Sequence, residues 1–212
     1  MSWTSAILNC VGVSGARPSR VCADMSGQRT ADDLYRAVRA LSYHFKTDTV
    51  IVVGSQAVLV GWPEAPALLR MSEEIDAYPN NYRDWERDHP GEEASEEINA
   101  LFGWGSQFHD THGFYIDGVN DGTAKLPEGW IYRAVRVQVR DGDHTVFAVA
   151  PCPEDLTVSK LFRMAEKDEA YIRAWHEIRP LDVETVLYRF LSMSPDPAIE
   201  ARAVRFLKTI PT

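Results

Sequence analysis

The sequence has few cysteines and little that would lead it into a membrane or onto nucleic acid. Its 212 residues hold three cysteines, Cys10, Cys22 and Cys152, which share no metal-ligand spacing and cannot all pair. That argues against a disulfide framework and for a reducing, cytoplasmic setting. No apolar run approaches the roughly 20 residues of a membrane-spanning helix, so no membrane partner is expected. The opening MSWTSAILNCVGVSG has an apolar patch with no basic residue ahead of it, a poor secretory signal. Acidic residues outnumber basic ones, 31 to 22, for a net charge of −9. A general nucleic-acid binder would need a basic footprint, although a local basic pocket for a triphosphate or an RNA end is still allowed. The glycine motifs of Rossmann and P-loop proteins, the Gly-x-Ser-x-Gly elbow, internal repeats and long low-complexity tracts are all missing.

What remains fits one globular domain, or one domain with a small appendage. Residues 1–26 lack steady periodicity and read as a disordered or mis-annotated extension, with translation starting at Met25. Residues 27–150 read as the core and residues 151–212 as a C-terminal helical portion packed on it. Thr30 caps an amphipathic helix whose Leu34, Ala37, Val38 and Leu41 fall on one face. Thr49 to Val53 is a β-branched run, read as a central strand. Gln56 to Val60 forms a short helix after the Gly54-Ser55 turn, and Trp62-Pro63 ends it. Asn80 to Pro90 reads as a loop and Glu92 to Phe102 as a helix. His109 and His112 fall in a glycine-rich loop before a strand from Phe114 to Val119. Trp130 to Arg140 and Thr145 to Ala150 read as a hairpin around Gly142-Asp143. Glu154 to Ile178 has the longest helical pattern, and shorter helices follow at Asp182 to Leu191 and Ala198 to Lys208. This order predicts an α+β fold, a mixed sheet flanked by helices with a helical C-terminal portion.

Three features point to chemistry. Glu74 and Asp76 lie two apart on a strand and share one sheet face. Like charges that close favour a divalent cation, and magnesium prefers such hard oxygen ligands. The same spacing also fits the solvated face of an edge strand. Asp117 is a third acid in an otherwise apolar strand; beside the first pair it would allow two metal ions. Gly54-Ser55 opens a helix 19 residues before Glu74, where free N–H groups favour phosphate, although small residues there are common for backbone reasons. Lys160, Arg163 and Lys167 form a stripe over about two turns of one helix face, either a clamp for phosphates or a solvated face paired with Glu166 and Asp168. His109 and His112 flank Asp110 with no third zinc ligand at a recognisable spacing.

Taken in order, Gly54-Ser55, Ser72-x-Glu74-Ile75-Asp76, Leu156-x-x-Ser159-Lys160-Leu161 and Glu166-Lys167-Asp168 resemble the nucleotidyltransferase-like proteins of the DNA polymerase β superfamily. Within it, the similarity is to small bacterial nucleotidyltransferase-like proteins related to abortive-infection type IV toxins. The resemblance covers roughly Thr49 to Trp175. It implies that Gly54 and Ser55 form the triphosphate-binding turn and that Glu74 and Asp76 hold magnesium. It implies a nucleotide-lining helix bearing Lys160, Lys167 and Asp168, with Arg163 nearby, and a third acid at Asp117 that completes the metal site or takes the acceptor's proton. The implied reaction moves a nucleoside monophosphate from an NTP to an acceptor hydroxyl on a tRNA end, a protein or a small molecule, using one or two Mg2+ ions. Glu74 stands where Asp is usual, and Ala165 stands where Arg is usual. Those departures keep open a degenerate member that only binds nucleotide or a partner; a toxin held by an antitoxin protein is a second alternative. A zinc hydrolase built on His109, Asp110, His112 and Asp117 is a further rival.

Overall fold

Thr30 starts the first described α-helix with a reciprocal cap: its hydroxyl accepts from Asp33 N at 3.1 Å while Asp33 Oδ2 accepts from Thr30 N at 2.9 Å. The helix so started, α1 (Ala31–Phe45), buries Leu34, Ala37, Val38, Leu41 and Phe45 on one stripe. The computed structural model describes residues 27–142 and 144–211. The extension expected over residues 1–26, with Met25, Cys10 and Cys22, lies outside them.

Nine helices and five strands follow one another among the described residues. The strands are β1 (Thr49–Val52), β2 (Glu74–Pro79), β3 (Tyr115–Gly118), β4 (Val135–Asp141) and β5 (His144–Ala150), in spatial order β3-β2-β1-β5-β4. β1 pairs antiparallel with β2 and parallel with β5, β2 pairs parallel with β3, and β4 and β5 form a hairpin. The fold is the mixed α+β arrangement expected from the sequence.

Every second residue of β1 serves a different core, which is why its β-branched run has no polar alternation. Val50 and Val52 join the large cluster that runs from Leu34 to Ile210 and includes α2 (Val58–Gly61). Ile51 and Val53 face the other way, against Val149, Tyr78 and Val119, under the chain from Val119 to Ala134. Ile75, Ala77 and Ile116 belong to the large cluster. By strand alternation, Glu74, Asp76 and Asp117 therefore project from the opposite, second face.

Four elements differ from the sequence reading. α3 (Tyr82–Asp88) replaces the loop read over Asn80 to Pro90; it fully buries no residue, and only Tyr82 and Trp85 lean on the core, too few positions to reveal a helical stripe. After α4 (Ala94–Phe102), α5 (Gln107–His112) takes up both histidines, started by Ser106 Oγ accepting from His109 N. Trp130–Arg133 is a 3-10 turn, so β4 begins only at Val135. The long helix read from Glu154 is two: α6 (Pro153–Arg163) and α7 (Glu166–Ile178). Met164 adopts the left-handed conformation (φ 49°) and Ala165 is extended, while the Asp168 carboxylate accepts from Ala165 N at 3.1 Å. The cap holds the break open where no Gly or Pro marks it. α8 (Val183–Ser192) and α9 (Pro197–Leu207) complete the chain and share the large core. Among the described residues no helix is long and apolar enough to cross a membrane.

Candidate functional site

The sheet register joins acids that are distant in sequence. Glu74 lies opposite Tyr115, and Asp76 opposite Asp117, in the parallel β2–β3 pair. β1 delivers Gly54 beside them, because Val53 N donates to Asp76 O at 2.9 Å where β1 runs out. Gly54 sits at φ 64°, ψ −157°, a region essentially confined to glycine. A Cβ at this position would overlap Asp76 Oδ2 and lie 2.7 Å from Asp76 Cγ. Only glycine lets the turn backbone come so near the carboxylate.

A cleft of about 360 Å³ opens here, lined among others by Gly54, Ser55, Glu74, Asp76, Lys160 and Arg163. Lys125, Ser159 and Lys167 also face it. The basic stripe read on one helix thus comes from two, α6 and α7, and still meets in one place. Asp117 and Asp168 do not line the cleft. Asp117 stands one strand beyond, next to Asp76. Asp168 is fully buried, where it receives Arg163 through two hydrogen bonds of 2.7 and 2.6 Å and lies 3.5 Å from Lys160 Nζ. Its placement makes it the holder of two cations.

Charge inside the cleft is unevenly matched. Burial, then the Glu74 and Asp117 charges, push the Asp76 carboxyl up to about 6, against the pull of Lys160 and Arg163. Burial followed by Glu74 also raises Asp117. Among the described residues no Lys or Arg forms an ion pair with Glu74, Asp76 or Asp117, while Lys160 and Arg163 both turn to Asp168. Burial first, with Asp168 opposing it and Arg163 adding to it, brings the Lys160 ammonium down to about 8. Asp168 is held below its usual range: burial would raise it, and Arg163, Lys160 and the Ala165 amide overcome that.

Glu74 is steadied by Tyr115, whose hydroxyl donates to Glu74 Oε2 at 2.9 Å. Tyr115 in turn meets the rings of Trp104 at 5.6 Å and His109 at 5.5 Å. His109 Nδ1 accepts from Gly105 N at 3.0 Å, and His112 Nδ1 lies 2.8 Å from Arg36. Among the described residues no three His, Cys, Asp or Glu side chains converge as a metal-ligand group. The zinc constellation is therefore not formed, and the three acids do not close into a cage of their own. The Glu74–Asp76 pair, underneutralised and in an open cleft, fits magnesium held by one or two carboxylates together with substrate phosphates.

Residues 32–208 match the sequence model of a family described as a nucleotidyltransferase of unknown function, DUF6036. The chain belongs to this family. The match spans every strand and helix from α1 to α9 except the first residue of α1. Comparison with curated proteins and with solved structures gives no match. Sequence reasoning missed Lys125 and Thr123, which reach this DUF6036 cleft from a long irregular segment, and Tyr115, whose link to Glu74 depends on strand register. Only the apolar–acid alternation around Asp117 gave any hint that β3 would border the site.

Proposed function

We propose that this chain moves a nucleoside monophosphate from an NTP to an acceptor hydroxyl with the help of Mg2+. The observation that carries the reading is the contact of the Gly54 backbone with the Asp76 carboxylate inside a cleft whose facing wall is cationic. A turn with free amides, a carboxylate pair and three basic side chains share a volume suited to a small anionic ligand.

In this reading Glu74 and Asp76 hold magnesium, which supplies charge neutralisation for the phosphates. Gly54 and Ser55 orient the β- and γ-phosphates, with Lys160, Arg163 and Lys167 against their outer oxygens. The acceptor oxygen attacks the α-phosphorus, the bond from that phosphorus to the bridging oxygen breaks, and pyrophosphate leaves. The acceptor enters from the β3 side, outside the phosphate cleft, and its proton passes to Asp117 beside Asp76, whose raised affinity for protons suits a base next to two other carboxylates. Positioning and electrostatics account for the rate gain.

The test combines melting curves with each NTP, with and without Mg2+, and incubation of labelled NTP with host extract. Magnesium-dependent stabilisation together with label transfer that Asp76→Asn abolishes supports the proposal. Stabilisation without transfer favours a nucleotide-binding role alone, and no stabilisation by any NTP overturns both.

A further inference from the structure

The Gly54–Ser55 turn is held at two atoms by the C-terminal helices, and Tyr171 takes part in both attachments. Its hydroxyl donates to the Ser55 carbonyl oxygen at 3.1 Å. Its ring lies 4.0 Å, centroid to nitrogen, from Lys160 Nζ, which itself donates to Ser55 Oγ at 3.2 Å. Ser55 is thus gripped on its carbonyl from α7 and on its hydroxyl from α6. Tyr171 is itself only 7% exposed and Lys160 only 5%, so neither side chain is free to swing into water.

We propose that Tyr171 is a positioning residue for phosphate binding: it fixes the Ser55 backbone and holds the Lys160 ammonium on its ring face, so that turn and cation meet the NTP as one preset unit. This rests on the nucleotidyltransferase reading of the same cleft. A turn fixed by its carbonyl presents its amides in one direction, and that orientation is what a phosphate rewards. An ammonium over an aromatic face keeps its charge more easily in a dry setting than one over an aliphatic wall. The groups around Lys160 are Asp168 and Tyr171 from α7, Arg163 from its own helix, and Asp76 from β2. Tyr171 is the uncharged member of that set, and its removal leaves the surrounding formal charges as they were.

Two substitutions separate the attachments. Tyr171→Phe removes the hydrogen bond and keeps the ring; Tyr171→Leu removes both and keeps the site apolar. Each is compared with wild type by titration with a non-hydrolysable NTP analogue and Mg2+ from pH 6.5 to 9.5, with near-ultraviolet circular dichroism checking the fold. Tyr171→Phe should bind about fivefold more weakly at every pH, with its alkaline limb where the wild type has it. Tyr171→Leu should also move that limb to lower pH, because Lys160 stays desolvated and loses the ring that favours its charged form. Lysine side-chain NMR of the free protein should show the same downward move for Lys160, independent of any nucleotide. Wild-type affinity in Tyr171→Phe, or an unmoved Lys160 in Tyr171→Leu, overturns the inference while leaving the proposed function standing. A wild-type protein that binds no NTP analogue overturns the proposed function, and this inference with it.

Discussion

Gly54 and Asp76 are in such close contact that no side chain fits between them: a Cβ on Gly54 would overlap the Asp76 carboxylate. Gly54→Ala therefore carries two penalties, a backbone region essentially closed to alanine and a collision with a group that has little room to retreat. The expected loss is about 2–4 kcal/mol, or roughly 4–16 °C in Tm for a chain of this size. Asp76→Gly in the Gly54→Ala background should recover part of that loss, since it removes the collision and leaves only the backbone term. Thermal melts of the two single variants and the double variant give the coupling directly.

The raised Asp76 carboxyl makes stability depend on pH in a defined direction. Its folded value, about 6, lies above its ordinary 3.8, so between those values the folded state binds more protons than the unfolded one. Stability from this group falls as pH rises through that window and stays low above it. Asp76→Asn should therefore melt higher than wild type at pH 8 and close to it below pH 4. Magnesium should raise the wild-type Tm more at pH 8 than at pH 5 and leave Asp76→Asn nearly unmoved. Melts at the three pH values, with and without MgCl2, check this.

How much of this was legible beforehand depended on whether a signal was local. Thr30 with Asp33, the β-branched run of β1 and the two-residue spacing of Glu74 and Asp76 each state their structure within a few residues, and the fold follows them. The α6–α7 break is equally local, but its cause is Asp168 capping Ala165 and holding Arg163. Without a glycine or proline, the apolar period runs straight across it. The acids of the first turn, Glu166, Asp168 and Glu169, were the available start signal. From sequence, Glu166 and Asp168 read instead as partners of a basic stripe. Asp117 reaches Asp76 only through the pairing of β2 with β3, a fact about strand order that spacing does not encode. α3 is one short stretch in which only Tyr82 and Trp85 lean on the core, neither fully buried, too few apolar positions for a period to announce it.

Asp168 offers a test of structure distinct from chemistry. Fully buried beneath Lys160 and Arg163, it compensates Lys160, a cation that is itself buried. Asp168→Asn should cost about 3 kcal/mol, or roughly 6–12 °C in Tm. Because its carboxyl is held below its ordinary value, that stability is present above pH 3.8 and is lost as pH falls through the folded value. The gap between wild type and Asp168→Asn should accordingly close in strong acid. Lys160→Met combined with Asp168→Leu should be more stable than Asp168→Asn, since it leaves no buried charge unpaired; Arg163, with its side chain 56% exposed, can turn to water. Urea unfolding of the wild type and the two variants distinguishes them.

The acid at position 74 is the sharpest question about metal binding, and Tyr115 decides what to expect. Glu74 is one methylene longer than the aspartate usual in the proteins it resembles. In this chain that extra length is taken up by reaching the Tyr115 hydroxyl at 2.9 Å. Tyr115 is held in turn by the rings of Trp104 and His109, so it cannot follow a shorter side chain inward. Glu74→Asp should therefore weaken magnesium binding instead of improving it, because the carboxylate leaves its only hydrogen-bond donor among the described residues. Tyr115→Phe should weaken it by about tenfold, the usual scale for removing a group that orients a metal ligand. The double variant should lose no more than the worse single one, since both changes break the same contact. Mn2+ binding followed by electron paramagnetic resonance measures all three, and tighter binding in Glu74→Asp would show that the longer side chain is a defect in this cleft.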